Sequence, residues 1–209
     1  MKVLAVGAHP DDIELGCGAS LSLHCRRGDE ITMVVMNAGE AYPELGARRI
    51  FEQEAAADIL GANLIWGDLN YGRLVDERAL VSMLDGIVGK VEPDVVYVHA
   101  PLDTHQDHRA THQAVMSACR RQPRVLLFES PTSEGFAPSI FIPVPEESVE
   151  VKLRLLAAHA SQTGFNSLVD PSAVAAALRY RGFQARTRHA EAFMSGRFVW
   201  DPCFPGDGF

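Results

Sequence analysis

No basic stripe, no membrane-length apolar run and no paired cysteines mark this chain. Its 27 acidic residues against 19 lysines and arginines leave a formal net charge of −8. A nucleic-acid binder carries the opposite balance, clustered along one face or helix, so that class is excluded. No apolar stretch reaches the roughly 18–20 residues that a membrane-spanning helix needs. Met1-Lys2 leads straight into a short apolar run that ends in charged residues, not into a signal-type core with a small-residue cleavage site. Cys17, Cys25, Cys119 and Cys203 form no C-x-x-C pair, and the first two fall about two turns apart on one expected helix, out of bridging reach. They read as buried small hydrophobes in a reducing compartment, which makes the expected location cytoplasmic. Repeats, low-complexity runs and linkers are also missing. A chain of 209 residues is long enough for one well-buried domain and too short for two large ones, so residues 1–209 are expected to form a single domain.

The first two thirds alternate between two hydrophobic periods. Residues 2–7, 30–36, 62–66, 94–98 and 124–128 read as strands, the fourth as a nearly continuous apolar run of the kind buried on both faces. Between them, residues 16–27, 46–60, 77–91 and 107–121 carry helical spacing, with Gly28 and Gly61 placed to end the first two. This βαβα order predicts an α/β fold, a Rossmann-like three-layer sandwich around a mostly parallel sheet. The core would occupy 1–128. Residues 129–209 would pack on it and shape a cleft, with an isolated strand at 139–144, helices at 146–161 and 171–181, and a last strand at 191–200. The polar loops 129–138 and 161–172 are candidate cleft walls.

Two polar knots interrupt this pattern. His9-Pro10-Asp11-Asp12 follows the first strand, and His105-Gln106-Asp107-His108 follows the strand at 94–98. Open α/β sheets bind ligands at the carboxyl ends of their strands, so both knots lie where a site belongs. A catalytic zinc takes three protein ligands and leaves one position for water. His9 and Asp12 stand three apart across a turn that Pro10 would restrain, and either His105 or His108 would complete a His-Asp-His set. Asp11 is then a spare carboxylate, free to take a proton from water. The spare histidine suits protonation of a leaving amine or support of an oxyanion. Asp107 can orient a ligand histidine through its second ring nitrogen. Helix capping is the alternative duty for Asp11 and Asp12, and a cap or ion pair for Asp107. Gly16-x-Gly18 lacks the third glycine of a dinucleotide fingerprint, and that reading is set aside.

These residues resemble a known family. Val6 to Gly18 is similar to the AHPDD signature of the PIG-L/LmbE-like N-acetylglucosaminide deacetylases, and His105 to His108 to their HPDH motif. Arg49-Ile50-Phe51-Glu52 resembles the family's RxxE helix, and Ala190-Glu191-Ala192-Phe193 its AE-x-F segment. The resemblance implies that His9, Asp12 and His108 hold Zn2+, that Asp11 is the general base, and that His105 is the protonated partner. It places Arg49 near the substrate. Gln106 stands where the family usually has proline, which removes a restraint on His105. The implied reaction is removal of an N-acetyl group from an N-acetylglucosamine-containing glycoconjugate. A His2Asp set also suits Fe2+. The expected partner is a small N-acetylglucosaminyl substrate. Relatives often form homo-oligomers, though no interface signature stands out here.

Among the other histidines, His99 reads as a satisfied strand-end residue, with approach to the site as the alternative; His112 as packing or support behind the site, with a place beside the zinc as the alternative; His159 and His189 as surface or packing residues, with substrate contact as the alternative; and His24 as structural. Two other functions stay open at this stage. One is a metal-stabilised carbohydrate-binding protein without catalysis, which would have no need of Asp11. The other is a hydrolase of a different amide or ester, a choice that the loops of the last third would make.

Overall fold

Alternation along β1 (Lys2–Gly7) builds both faces of the core. Val3 and Ala5 point to one side, Leu4 and Val6 to the other, and all four are fully buried. The structure is a computed structural model describing residues 1–37, 43–67, 77–163 and 169–200, with side chains described from residue 47 in the second segment. Among the described residues, β1 joins β2 (Glu30–Val35), β3 (Asn63–Trp66), β4 (Val95–His99) and β5 (Arg124–Phe128) in parallel. Two further strands, β6 (Ile140–Pro143) and β7 (Ala190–Phe198), extend the β5 edge, giving the order β3-β2-β1-β4-β5-β7-β6. The strands alternate with α1 (Asp12–Arg26), α2 (Pro43–Leu60), α3 (Glu77–Val91) and α4 (Gln106–Ala118), and α5 (Glu146–Ala158) and α6 (Pro171–Gln184) follow β6.

Helices cover both faces, as the α/β reading expects. Ile13, Cys17 and Leu21 of α1, Ala56 of α2 and Leu155 of α5 pack with Val3 and Ala5. Leu80 and Leu84 of α3 and Ala114 and Val115 of α4 pack with Leu4 and Val6. Gly16 sits where α1 crosses β5. A Cβ there would lie 2.2 Å from the Phe128 ring, so the helix approaches this closely only with glycine. The glycines that resemble a nucleotide motif are packing residues.

The sheet order creates the site. From β1 the chain moves to β2 on one side, and β4 is inserted on the other. A crevice therefore opens at the carboxyl ends of β1 and β4, the strands that precede the two knots.

Three expectations change. The first helix begins at Asp12 rather than residue 16, because Asp11 turns the chain with φ of 89° and starts the helix at once. The strand expected to be isolated is paired: β6 runs antiparallel to β7, which runs antiparallel to β5. Cys17 and Cys119 are buried as expected, but Cys25 is exposed near the end of α1. Cys203 lies outside the described residues.

Candidate active site

The turn after β1 is held from two directions. Asp12 folds its carboxylate back so that Oδ2 accepts the His9 backbone N–H at 2.7 Å. From α2, Arg49 donates Nη2 to the Pro10 carbonyl at 2.8 Å, and Gln53 Oε1 accepts the Asp11 N–H at 3.4 Å. Clamped this way, Asp11 adopts a left-handed conformation with φ of 89°, uncommon outside glycine though better tolerated by aspartate than by most residues. Its side chain makes no capping bond, so helix capping does not explain the residue. Arg49 Nη2 stands 3.8 Å from Asp11 Oδ1.

Asp12 is the hub. Its Oδ2 lies 3.2 Å from His99 Nε2 and 3.6 Å from His9 Nδ1, and its Oδ1 lies 3.3 Å from His108 Nε2. Each outer imidazole keeps its second nitrogen on another carboxylate. His9 Nε2 meets Asp107 Oδ2 at 3.1 Å, and His108 Nδ1 meets Asp103 Oδ2 at 3.0 Å. Ligand atoms of His9, His105 and His108 lie within 4.8 Å of one another, and so do those of Asp12, His99 and His108. The expected set of His9, Asp12 and His108 draws on both overlapping groups. Imidazoles around a carboxylate, with the remote nitrogens held by further carboxylates, form a donor set that fits zinc or ferrous iron.

His105 caps α4. Its Nδ1 accepts the Asp107 N–H at 3.2 Å, and its own N–H donates to Asp103 Oδ1 at 2.8 Å. The neutral ring in this arrangement carries its proton on Nε2. These two bonds fix the residue without the proline that Gln106 replaces. His105 remains half-exposed, while His9, Asp11, Asp12 and His108 are buried.

Burial and crowding set the protonation states. Asp11 is pushed up to about 7 by burial and by the charge of Asp12, with Arg49 opposing. Asp12 is held well below the usual carboxylate range. Burial works against its charge, and His99, His108 and His9 outweigh it. His9 rises to about 9 because its bonds to Asp107 and Asp12 overcome burial. His108 is raised in the same way by Asp12 and Asp103. His105 is lowered by burial and by the nearby His9 and His108, which favours the neutral ring over the protonated one. Adjacent carboxylates thus differ sharply in proton affinity.

Six of the seven expected site residues, His9, Asp11, Asp12, Arg49, His105 and His108, line one cavity of about 260 Å3. Asp107 stands outside its wall, behind His9. Thr132, Ser161 and Gln162 come from the loops expected to shape the cleft. Glu52 of the RxxE segment holds that wall in place by accepting the Ser161 N–H at 2.8 Å and its hydroxyl at 2.5 Å.

Several contributors are not apparent from sequence. His99 reaches Asp12 because β4 lies beside β1, and its place at a strand end beside the knot was the available signal. Asp103 supports His108 and is itself held by the Ser130 hydroxyl at 2.6 Å, an arrangement with no local pattern. His159 is fully buried, with Nε2 3.5 Å from Glu14 Oε1, and Gln53 donates to that same oxygen at 2.7 Å. His112 donates or accepts nothing from Asp12; its Nδ1 meets the His99 carbonyl at 2.8 Å. His24 bridges Asp29 and the Tyr97 hydroxyl, and His189 lies beside Glu146.

The family model described as GlcNAc-PI de-N-acetylase, PIG-L, matches residues 4–119. An uncharacterized deacetylase, YaiS, of Escherichia coli K12 is 40% identical over 171 residues, covering 76% of this chain and 90% of the relative. The diacetylchitobiose deacetylase of Thermococcus kodakarensis is 27% identical over 229 residues, covering 95% of this chain and 85% of the relative. Among solved structures, the 4-carboxy-2-hydroxymuconate hydratase GalB of Pseudomonas putida KT2440 superposes with a TM-score of 0.84 at 21% identity, covering 98% of this chain and 100% of that one. That likeness concerns the fold alone, since one fold hosts many reactions.

Proposed function

The chain belongs to the PIG-L family, and we propose that it hydrolyses the N-acetyl group of an N-acetylglucosamine-containing glycoconjugate, yielding acetate and a free amine. One observation carries the reading. Metal-type donors, a carboxylate pushed to about 7 and a buried arginine face the same small cavity. Similarity to a diacetylchitobiose deacetylase supports the choice of an acetylated amino sugar.

His9, Asp12 and His108 would hold a divalent cation, with Asp107 and Asp103 orienting the two imidazoles. Such a cation lowers the pKa of water and polarises an amide carbonyl. Zinc is our assignment, and ferrous iron suits the same donors. Asp11 accepts the proton as water adds to the acetamide carbon, a task matched to its raised pKa. That proton then goes to the departing nitrogen as the C–N bond breaks. His105 offers Nε2–H to the carbonyl oxygen as negative charge develops there, in the neutral form that its lowered pKa favours. Arg49 restrains the Asp11 turn through Pro10 and presents a charged edge to a sugar hydroxyl.

A binding protein without catalysis would gain nothing from a strained second carboxylate beside the hub, so Asp11 favours an enzyme. The test is release of free amine from a panel of N-acetylglucosamine conjugates, with zinc, with chelator and with Asp11→Asn. Amine release that needs both metal and Asp11 supports the proposal. Metal-loaded protein that releases amine from no conjugate rejects it.

A further inference from the structure

Beside the catalytic cavity lies a second one of about 340 Å3 between α6, β7 and the start of α1, open to solvent along α6, where Ala173, Ala177 and Tyr180 are exposed. Its walls are largely small and apolar, with Ala173, Val174 and Ala177 from α6 and Ala190 and Ala192 from β7. Leu15 and Pro131 line both cavities, so one partition separates them. The catalytic cavity, at about 260 Å3, falls below the roughly 300–1,000 Å3 typical of small-molecule sites. A conjugate larger than its sugar must extend beyond it, and the second cavity is the apolar space that adjoins it across Leu15 and Pro131.

The charges around this second cavity are already committed. Lys152 donates Nζ to Glu191 at 2.5 Å and to the Leu15 carbonyl at 2.6 Å. Glu191 also accepts the Ala19 and Ser20 N–H groups at 3.0 and 2.7 Å. At the edge, Arg181 forks onto both oxygens of Glu129 at 3.1 and 2.8 Å. Asp170 caps α6 through the Ser172 N–H at 2.8 Å. An entering phosphate would have to break one of these pairs, whereas an apolar group would leave all of them intact. Tyr180, on the same wall, is 57% exposed and extends the apolar surface outward.

We propose that this cavity binds the apolar aglycone, an alkyl or aryl group, of the N-acetylglucosaminide whose acetamide occupies the neighbouring cavity. The inference rests on the deacetylase reading and narrows its substrate class. It sets apolar glycosides above nucleotide-linked sugars.

The deciding experiment compares amine release from the methyl and octyl glycosides of N-acetylglucosamine by the zinc-loaded protein. Each buried methylene contributes about a fourfold gain, so KM for the octyl compound should be at least about tenfold lower until the cavity fills. Ala177→Trp, at an exposed helix position on the cavity wall, should return the octyl-to-methyl ratio of kcat/KM to about one. Ala173→Trp provides a second variant should the first fail to fold. A uridine diphosphate conjugate should show no advantage over the methyl glycoside. Equal KM values for the two glycosides, or an octyl preference untouched by either tryptophan, would overturn the proposal while leaving the deacetylase reading intact. If neither glycoside releases amine, calorimetry with octyl glucoside below its micelle concentration judges the cavity alone, and the deacetylase reading itself fails only if every conjugate of the panel is inert as well. Binding there that the tryptophan variants abolish upholds an apolar-ligand site, and no binding removes it.

Discussion

Asp103 Oδ2 lies 3.0 Å from Nδ1 of His108, and the Ser130 and Ser133 hydroxyls hold that same oxygen at 2.6 and 3.2 Å. The carboxylate that orients His108 therefore comes from before the second knot, while Asp107, within the knot, serves His9. Asp103 is itself held well below the usual carboxylate range. Burial opposes its charge, and hydrogen bonds from Ser130, Thr132, the His105 N–H and His108 overcome it. Substituting Asp103→Asn removes a charge behind a candidate ligand without touching the donor set. Zinc affinity should fall by about 10–100-fold, as supporting-residue losses do. Competition against a zinc chelator measures it, and unchanged affinity would show that His108 needs no such support.

Cation binding should release protons. His9 sits at about 9 in the metal-free protein, so its imidazole is protonated near neutrality and must lose that proton to coordinate. Apparent zinc affinity should rise with pH towards about 9 and flatten beyond it. Calorimetry in two buffers of different ionisation enthalpy counts the protons released. A count of zero near neutrality would rule His9 out of the ligand set.

Asp11 sets activity against stability. A carboxylate whose folded pKa is raised binds more protons folded than unfolded. Its penalty is absent below the unfolded value of about 3.9. The penalty grows as pH rises and is complete above the folded value of about 7. Asp11→Asn should raise the Tm of the metal-free protein at alkaline pH, with the gain shrinking towards pH ~4. The same substitution should lower amine release by about 10²–10⁴-fold. Thermal melts across pH and a single kinetic comparison check both halves.

The pair of Lys152 and Glu191 ties the last third of the chain to the helix that carries Asp12. Both residues are buried, and Glu191 reaches two backbone amides of α1. Lys152→Met alone leaves a buried charge without its partner and should destabilise by about 3–5 kcal/mol. Replacing both with apolar residues of similar size should cost much less than the sum of the single changes. Denaturant unfolding of the two single variants and the double variant gives the coupling directly.

How much of this could be read in the sequence follows from the range of each interaction. Buried strands announce themselves in a local pattern, so the runs at 2–7, 30–36 and 94–98 correspond to β1, β2 and β4 within a residue or so at each end. The two knots were legible for the same reason, since each follows such a run and consists of residues with few reasons to cluster there. Glu191 was visible only as part of a resemblance, and its contact with α1 supplies the physical ground for it.

What the chain alone determined is the alternation of strands and helices and the placing of both knots at strand ends, because hydrophobic period and turn chemistry act over a few residues. Only the tertiary structure decided that β4 lies beside β1, which brings His99 and His108 onto Asp12. It also decided that β6 pairs with β7, that Asp103 supports His108, and that His159 is buried against Glu14. Each of these contacts joins segments far apart in sequence, and such pairing is selected by the packing of the whole sheet.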